Sequence, residues 1–341
     1  SGRGSNGAAA AVAAAEAAFT IGTDAGGSLL VPASLCGMVG MRPTYGTVSR
    51  FGIVAVAPSL EQIGAITKNV RDSALVIGAL SGHDRRDSTS LKTAPADFTA
   101  KLEGGVRGIK IALPSQYFDE NADTAVKSAV LAAAKQLEAQ GAQLVEVSMP
   151  TLDYALPAHY IISSAQASSS LARFDGVTFG RRAAEYEDIN DLYCRSRGEG
   201  FGIEAKRRII FGTFALSAGC YEIYYNKALR VRTLIKEEFN SVFEKCDIIL
   251  TPAAPYSEKK AAGDAQGPLA ACSGELYTAP AALAGLPAIT LPCAADRAGL
   301  PVGVQLIGRA FGEVELFGAA AAIERAVGDS YSIMVKAGDK A

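Results

Sequence analysis

The run Gly22-Thr23-Asp24-Ala25-Gly26-Gly27-Ser28 places a serine after two glycines and four residues after an aspartate. A serine nucleophile is best presented on a tight turn. Gly26 and Gly27 let backbone N–H groups converge on one point, as stabilising a developing oxyanion requires. The spacing is not the G-x-S-x-G elbow. The chain has two histidines, His83 and His159, so a Ser-His-Asp triad would have to use one of them. A serine activated by a lysine suits this composition better, and such pairs are known variants of the same logic. The bland reading of the segment is a Gly-rich turn carrying a surface serine. A second motif, GRGSNG, fits G-x-G-x-x-G through Gly2, Gly4 and Gly7, with Asp24 at about the distance at which a dinucleotide fold carries an acid. That motif has to follow a strand, and none precedes it here, so it reads as a flexible glycine loop.

Composition narrows the classes. The 341 residues fit two ordinary domains or one enzyme-sized one. Hydrophobic residues make up 49% and charged residues 20%, enough for a core and outside the disordered class. The net charge of −2 gives no basic excess that would point to nucleic acid as the main partner. Two histidines disfavour a His-rich metal site. The longest weakly apolar run, Ala8–Phe19, falls short of the roughly 20 residues that span a bilayer. Cys36, Cys194, Cys220, Cys246, Cys272 and Cys293 form no C-x-x-C pair and read as free, mostly buried thiols of a reducing compartment. Ser1 opens the chain inside a glycine loop, which looks like a cut start.

The elements that must position these residues follow from periodicity. Residues 8–19 read as a helix of small residues, and 20–37 as a short strand, a glycine turn and an apolar run broken by Pro32. Residues 38–69 read as short strands and turns, and Val70–Ser81 as a helix. Gly108–Pro114, Asn121–Gly141 and Gln143–Pro150 predict a β-α-β unit and hence a parallel sheet. Leu152–Gly202 is less regular and mixes helical stretches with polar turns. Glu204–Lys245 is a long helical pattern interrupted near Gly212 and Gly219. Asp247–Thr251 is a strand ended by Pro252, and 254–267 a polar loop. Glu275–Ala284 is helical, Ala288–Pro292 and Pro301–Gly308 are strands of a hairpin, and Glu313–Val327 is a closing helix. The expectation is one α/β domain over 1–341 with a helical excursion at roughly 150–245.

Longer stretches carry a family resemblance. GSNGAAAAVAAAEAAFTIGTDAGGSLLVPASLCGMVGMRPTYGTVSRFG from Gly4, ISSAQASSSLARFDGV (162–177), SRGEGFGIEAKRRIIFGTFALSAG (196–219), YYNKALRVRTLIKEEFNSVFEKCDIILTPAAP (224–255), ELYTAPAALAGLPAITLPC (275–293) and PVGVQLIGRAF (301–311) together resemble the amidase signature family. Within it the chain is most similar to the A-subunit branch of the tRNA-dependent amidotransferases. The resemblance covers nearly the whole chain. It implies a mixed, mainly parallel α/β sheet flanked by helices, and amide hydrolysis by a Ser–cis-Ser–Lys triad. By motif, Ser28 is the nucleophile, Ala25, Gly26 and Gly27 supply the oxyanion hole, and Asp24 braces the turn. Arg208 matches the residue that holds a substrate carboxylate, and Glu275 stands where an Asp meets the substrate amino group.

The departures from that pattern cluster at one site. The family's lysine lies in an upstream segment that this sequence does not contain. The bridging serine falls on Gly4, which has no hydroxyl to relay a proton, and Ser5 is one place out of register. Leu30 replaces an arginine and Val56 an aromatic. The resemblance therefore implies a degenerate amidase fold, catalytically weak or dead, serving as a structural or interaction subunit of a larger assembly in the mitochondrial matrix, another organelle interior or the cytoplasm. The alternative is a working glutamine amidase that releases ammonia for tRNA-dependent amidation, with the lysine supplied by a separate segment and Ser5 as substitute bridge. Without that segment, apolar surface near residues 8–60 is expected to stand exposed and to need a protein partner. Contact with tRNA would be indirect at most. No cofactor, metal ion or membrane insertion is expected.

Overall fold

The computed structural model describes residues 4–92, 96–118, 123–257 and 273–328. The chain divides into two compact units. One comprises the chain through Gly52, Leu60–Leu156 and everything from Thr233 on; the other comprises Ile53–Ser59 and Pro157–Arg232.

The first unit is built on an eight-stranded sheet with the order β1-β3-β2-β7-β8-β6-β4-β5. The strands are β1 (Phe19–Asp24), β2 (Val39–Arg42), β3 (Gln62–Thr67), β4 (Lys110–Pro114), β5 (Gln143–Val147), β6 (Ile248–Pro252), β7 (Ala288–Ala295) and β8 (Pro301–Gly308). The helices, numbered through both units, are α1 (Asn6–Ala13), α2 (Leu30–Leu35), α3 (Val70–Leu80), α4 (Thr124–Ala139), α5 (Ala155–Ser170), α6 (Ile189–Gly200), α7 (Ile203–Leu216), α8 (Lys227–Phe243), α9 (Ala279–Ala284) and α10 (Glu313–Val327).

The β4-α4-β5 unit forms as its pattern predicts, with β4 parallel to β5 from Lys110↔Gln143 to Pro114↔Val147. The mixed α/β sheet with flanking helices agrees with the expectation, but its balance does not. Only β4–β5 and β4–β6 pair in parallel, while the five remaining pairings are antiparallel. For the β7–β8 pair the physical reason lies in the connection. Antiparallel neighbours tolerate short loops, whereas parallel ones need a crossover of a dozen or more residues. β7 and β8 are joined by the short loop 296–300 and so return antiparallel.

Central strands are apolar on both faces because helices cover both. Every residue of β6 is buried. The core joins Val39, Ile248, Leu250, Ile289 and Leu306 of the sheet to α3, α4 and α10. In α10 the run Gly318-Ala319-Ala320-Ala321-Ala322 is buried, its small side chains letting the helix lie close. The ring of Phe317 packs 5.9 Å from that of Phe98.

Several boundaries move from their predicted places. The first helix ends at Ala13, and Phe19 already belongs to β1, because the Phe19–Thr23 alternation is recruited by β3. Pro32 does not break the run after the glycine turn. It sits in the first turn of α2, where the missing N–H would have had no helical acceptor. The segment 152–202, read as helical stretches mixed with polar turns, holds all of α5 and α6. The long pattern over 204–245 stops after Leu216, passes through a π-helical turn at Tyr221–Asn226 and resumes as α8. Gly212 does not interrupt it; in the second unit a Cβ at this position would overlap the Ser164 carbonyl oxygen, so the glycine permits α5 and α7 to touch. The helix predicted over Glu275–Ala284 begins only at Ala279, after a short turn at Ser273–Glu275. Most of the polar loop over 254–267 lies outside the described residues, as do Gly2, Cys272 and the first residues of the predicted helix at 121. The five described cysteines are free thiols, but only Cys246 and Cys293 are buried. Cys36 and Cys220 are half-buried and Cys194 is exposed.

Candidate active site

Strand β1 delivers the chain to the turn at Ala25–Leu29, and α2 leads it away. Asp24, at the end of β1, is fully buried and organises the turn. Its carboxylate accepts from the N–H of Gly27 at 2.8 Å, of Leu29 at 2.9 Å and of Leu30 at 3.3 Å. The Arg42 guanidinium, 1% exposed, lies 3.7 Å from the same carboxylate. That buried charge is further held by the carbonyls of Leu286 at 2.7 Å and Leu60 at 3.2 Å. Sequence reasoning missed Arg42. The available signal was a charged residue ending the otherwise apolar strand Val39-Gly40-Met41.

Gly27 has φ +122°, a backbone conformation suited to glycine. Its N–H is already committed to Asp24, which removes it as a free donor for an oxyanion. The N–H groups of Gly26 and Ser28 donate to no described residue. Ala25 lies between β1 and these donors.

Ser28 is half-buried, and its hydroxyl donates to the Thr23 carbonyl at 2.9 Å. No lysine or histidine among the described residues hydrogen-bonds it. His83 Nδ1 faces the Ser90 carbonyl at 3.2 Å, and His159 is buried in the second unit. Gly4 lies directly over Ser28. A Cβ at Gly4 would stand 2.5 Å from the Ser28 carbonyl oxygen and 3.0 Å from Ser28 Cβ, and Gly4 has φ +69°. Position 4 thus abuts the serine, as the resemblance implies for a bridging residue, but carries no hydroxyl. Ser5 donates its N–H to the Ser28 carbonyl at 2.8 Å. Its hydroxyl is turned toward β1, where it would be 2.8 Å from a Cβ built on Gly22. It does not cap α1.

Glu275 is brought to this turn through Thr278, a residue that sequence reasoning also missed. Thr278 Oγ1 donates to the Gly26 carbonyl at 2.7 Å, and its N–H donates to the Glu275 carbonyl at 3.2 Å. The signal was a threonine directly before Ala279-Pro280, the start of a helix. Leu30 is 1% exposed, packed in the core at the start of α2. Arg208 belongs to the second unit, on α7. There its Nε donates to Glu204 at 3.2 Å, and its guanidinium lies 5.7 Å over the Tyr160 ring. Val56 is also a residue of the second unit.

A family model described as Amidase matches residues 1–317. The A subunit of the glutamyl-tRNA(Gln) amidotransferase of Thermoanaerobacter pseudethanolicus is 50% identical over 325 residues, covering 95% of this chain and 66% of the relative. Its counterpart from Brevibacillus brevis is 50% identical over 327 residues, 96% of this chain and 67% of the relative. Among solved structures, the A subunit of the glutamyl-tRNA(Gln) amidotransferase of Thermotoga maritima superposes with a TM-score of 0.77 at 42% identity, covering 94% of this chain and 64% of that one. A bacterial aryl acylamidase of the amidase signature family superposes with a TM-score of 0.79 at 26% identity, covering 96% and 66%. The chain thus spans about two thirds of the length of the relatives it matches.

Proposed function

Because the chain belongs to the amidase family, with A subunits of glutamyl-tRNA(Gln) amidotransferases among its relatives, we propose that it is a degenerate member whose fold is kept for structure and interaction rather than turnover. The observation that carries this reading is the pair Gly4 and Ser28. Position 4 sits against the serine without a hydroxyl, Ser5 turns its own hydroxyl to β1, and Ser28 donates to a backbone carbonyl instead of to a base. A serine without proton transfer to a base is a weak nucleophile at neutral pH. The turn itself is retained: Asp24 still shapes it, and the Gly26 and Ser28 N–H groups donate to no described residue. A site of this kind binds a carbonyl oxygen without opening the amide bond.

The interaction role draws support from β1. It is an edge strand, hydrogen-bonded on one side to β3, with Phe19 45% and Ile21 49% exposed along it. Open edges and apolar patches of this kind are normally covered. The relatives' names make each of them one subunit of an amidotransferase, and we assign this chain a protein partner on that edge.

Intact-mass spectrometry after exposure to a fluorophosphonate, together with a glutaminase assay on the same preparation, tests the reading. No adduct and no ammonia release are expected. An adduct on Ser28 with measurable release overturns it in favour of a working glutamine amidase activated by a group outside the described residues.

A further inference from the structure

We infer that Thr278 is a positioning residue that locks the 25–28 turn and the Glu275 turn into one rigid frame, and so sets the aim of the Gly26 and Ser28 N–H groups. The inference rests on the reading above that the turn carrying the Gly26 and Ser28 N–H groups is retained to bind a carbonyl oxygen.

The Gly26–Gly27 peptide is gripped from both ends. Its carbonyl accepts from Thr278 Oγ1 at 2.7 Å, and its N–H donates to Asp24 at 2.8 Å. Two successive glycines leave the backbone more freedom than any other pair. The torsions that join this peptide plane to its neighbours, ψ of Gly26 and φ of Gly27, also set the angle between the planes that carry the Gly26 and Ser28 N–H groups. A plane tied at its oxygen and at its nitrogen cannot rotate without breaking a buried bond. Thr278 is 1% exposed, so water offers the Gly26 carbonyl no ready substitute. The fit is also steric. A Cβ on Gly27 would overlap Thr278 Oγ1, so the hydroxyl fills the space that the absent side chain leaves.

Thr278 is itself anchored to the middle of the sheet. The carbonyl of its neighbour Tyr277 accepts from Gln305 Nε2 at 2.8 Å, and the same amide nitrogen donates to Thr251 Oγ1 at 2.9 Å. Thr251 belongs to β6 and Gln305 to β8, both fully buried. The clamp therefore ties the loop geometry to rigid strands. Glu275 is tied to the same residue, since its carbonyl accepts the Thr278 N–H.

Residue-resolved hydrogen exchange on the full chain tests this directly. In Thr278→Val, which keeps the shape and removes the hydroxyl, the Gly27 amide is expected to exchange about fivefold to tenfold faster. Amides of Ile289 and Leu306 in the sheet should stay at wild-type rates, and Thr278→Ser should restore the Gly27 rate. Thr278→Ala, read in parallel, removes the hydroxyl without a branched replacement. An unchanged Gly27 rate in both Val and Ala variants overturns the inference. So does an acceleration shared equally by Ile289 and Leu306, which would mark a global loss of stability. Exchange needs no turnover, so an active Ser28 would overturn the degenerate reading and leave this one standing.

Discussion

Replacing Asp24 by Asn is the sharpest perturbation of the turn. The side chain keeps its shape but loses its charge and turns one acceptor into a donor. In the native structure the two carboxylate oxygens serve three backbone N–H groups, at 2.8, 2.9 and 3.3 Å, and face the Arg42 guanidinium at 3.7 Å. Hydrogen bonds to a charged group contribute about 1.5–3 kcal/mol each. Asn can still accept at one oxygen, so at least one of the three bonds is lost and an N–H is set against an N–H. Removing one partner of a buried ion pair costs about 3–5 kcal/mol. Arg42 retains the Leu286 and Leu60 carbonyls, so the terms overlap rather than sum. The expected loss is about 4 kcal/mol, a large share of the roughly 5–15 kcal/mol that typically separates folded from unfolded chains. Urea unfolding followed by far-UV circular dichroism measures it, since the chain has no tryptophan. Ser28→Ala is the control. It removes a half-buried hydroxyl and should change stability by less than about 1 kcal/mol. If Asp24→Asn loses less than about 1 kcal/mol, the carboxylate does not organise the turn and the reasoning fails.

Other outcomes follow from the same geometry. Gly212→Ala should destabilise by about 1–3 kcal/mol despite the better helix propensity of alanine, because its Cβ would meet the Ser164 carbonyl oxygen; a thermal melt showing stabilisation would refute the close contact. Iodoacetamide labelling near pH 8 should modify Cys194 first and Cys246 and Cys293 last. Burial pushes the Cys246 thiol up to about 11 and the Cys293 thiol up to about 12, leaving little thiolate in either; early labelling of Cys293 would contradict that order. Burial, reinforced by the charge of Asp72, raises the Glu324 carboxyl above its ordinary range even though it accepts the Val70 N–H. A raised carboxyl contributes stability below its unfolded pKa and loses it as pH rises through the folded one. Glu324→Gln should therefore match the wild type in acid and surpass it as pH rises past that window, with denaturation midpoints across pH as the check.

Local chemistry was the most legible part of the sequence. The turn from Asp24 to Ser28 depends on residues adjacent in the chain, and the strands at 110–114 and 301–308 carry their own periods. Elements whose signal is masked by composition were harder to read. Ser163, Ser164 and the run Ser168-Ser169-Ser170 fill the second half of α5 and blur the apolar stripe that packs it. Pro32 looks like a breaker unless its position in a first turn is known. The balance of parallel and antiparallel pairing was hidden because it depends on which strands meet, a long-range outcome that no local period encodes. The same limit hid Arg42 and Thr278. Each acts on the Asp24–Ser28 turn from another part of the chain, and the Thr278 hydroxyl reaches Gly26 across a separation of 252 positions.

The sheet order carries a consequence for biosynthesis. Among the described residues the hairpin of β7 and β8 is the last pair of strands, yet it sits in the middle of the sheet, between β2 and β6. As the chain emerges, β1, β3 and β2 can assemble as one sheet fragment, and β4, β5 and β6 as another, but nothing joins the two until residues 288–308 have left the ribosome. Each fragment meanwhile shows an open inner edge, through β2 and through β6, both rich in buried apolar residues. Folding of the first unit is thus completed by its late-arriving centre, and nascent chains stalled before Ala288 should be strong clients for chaperones that shield unpaired strands.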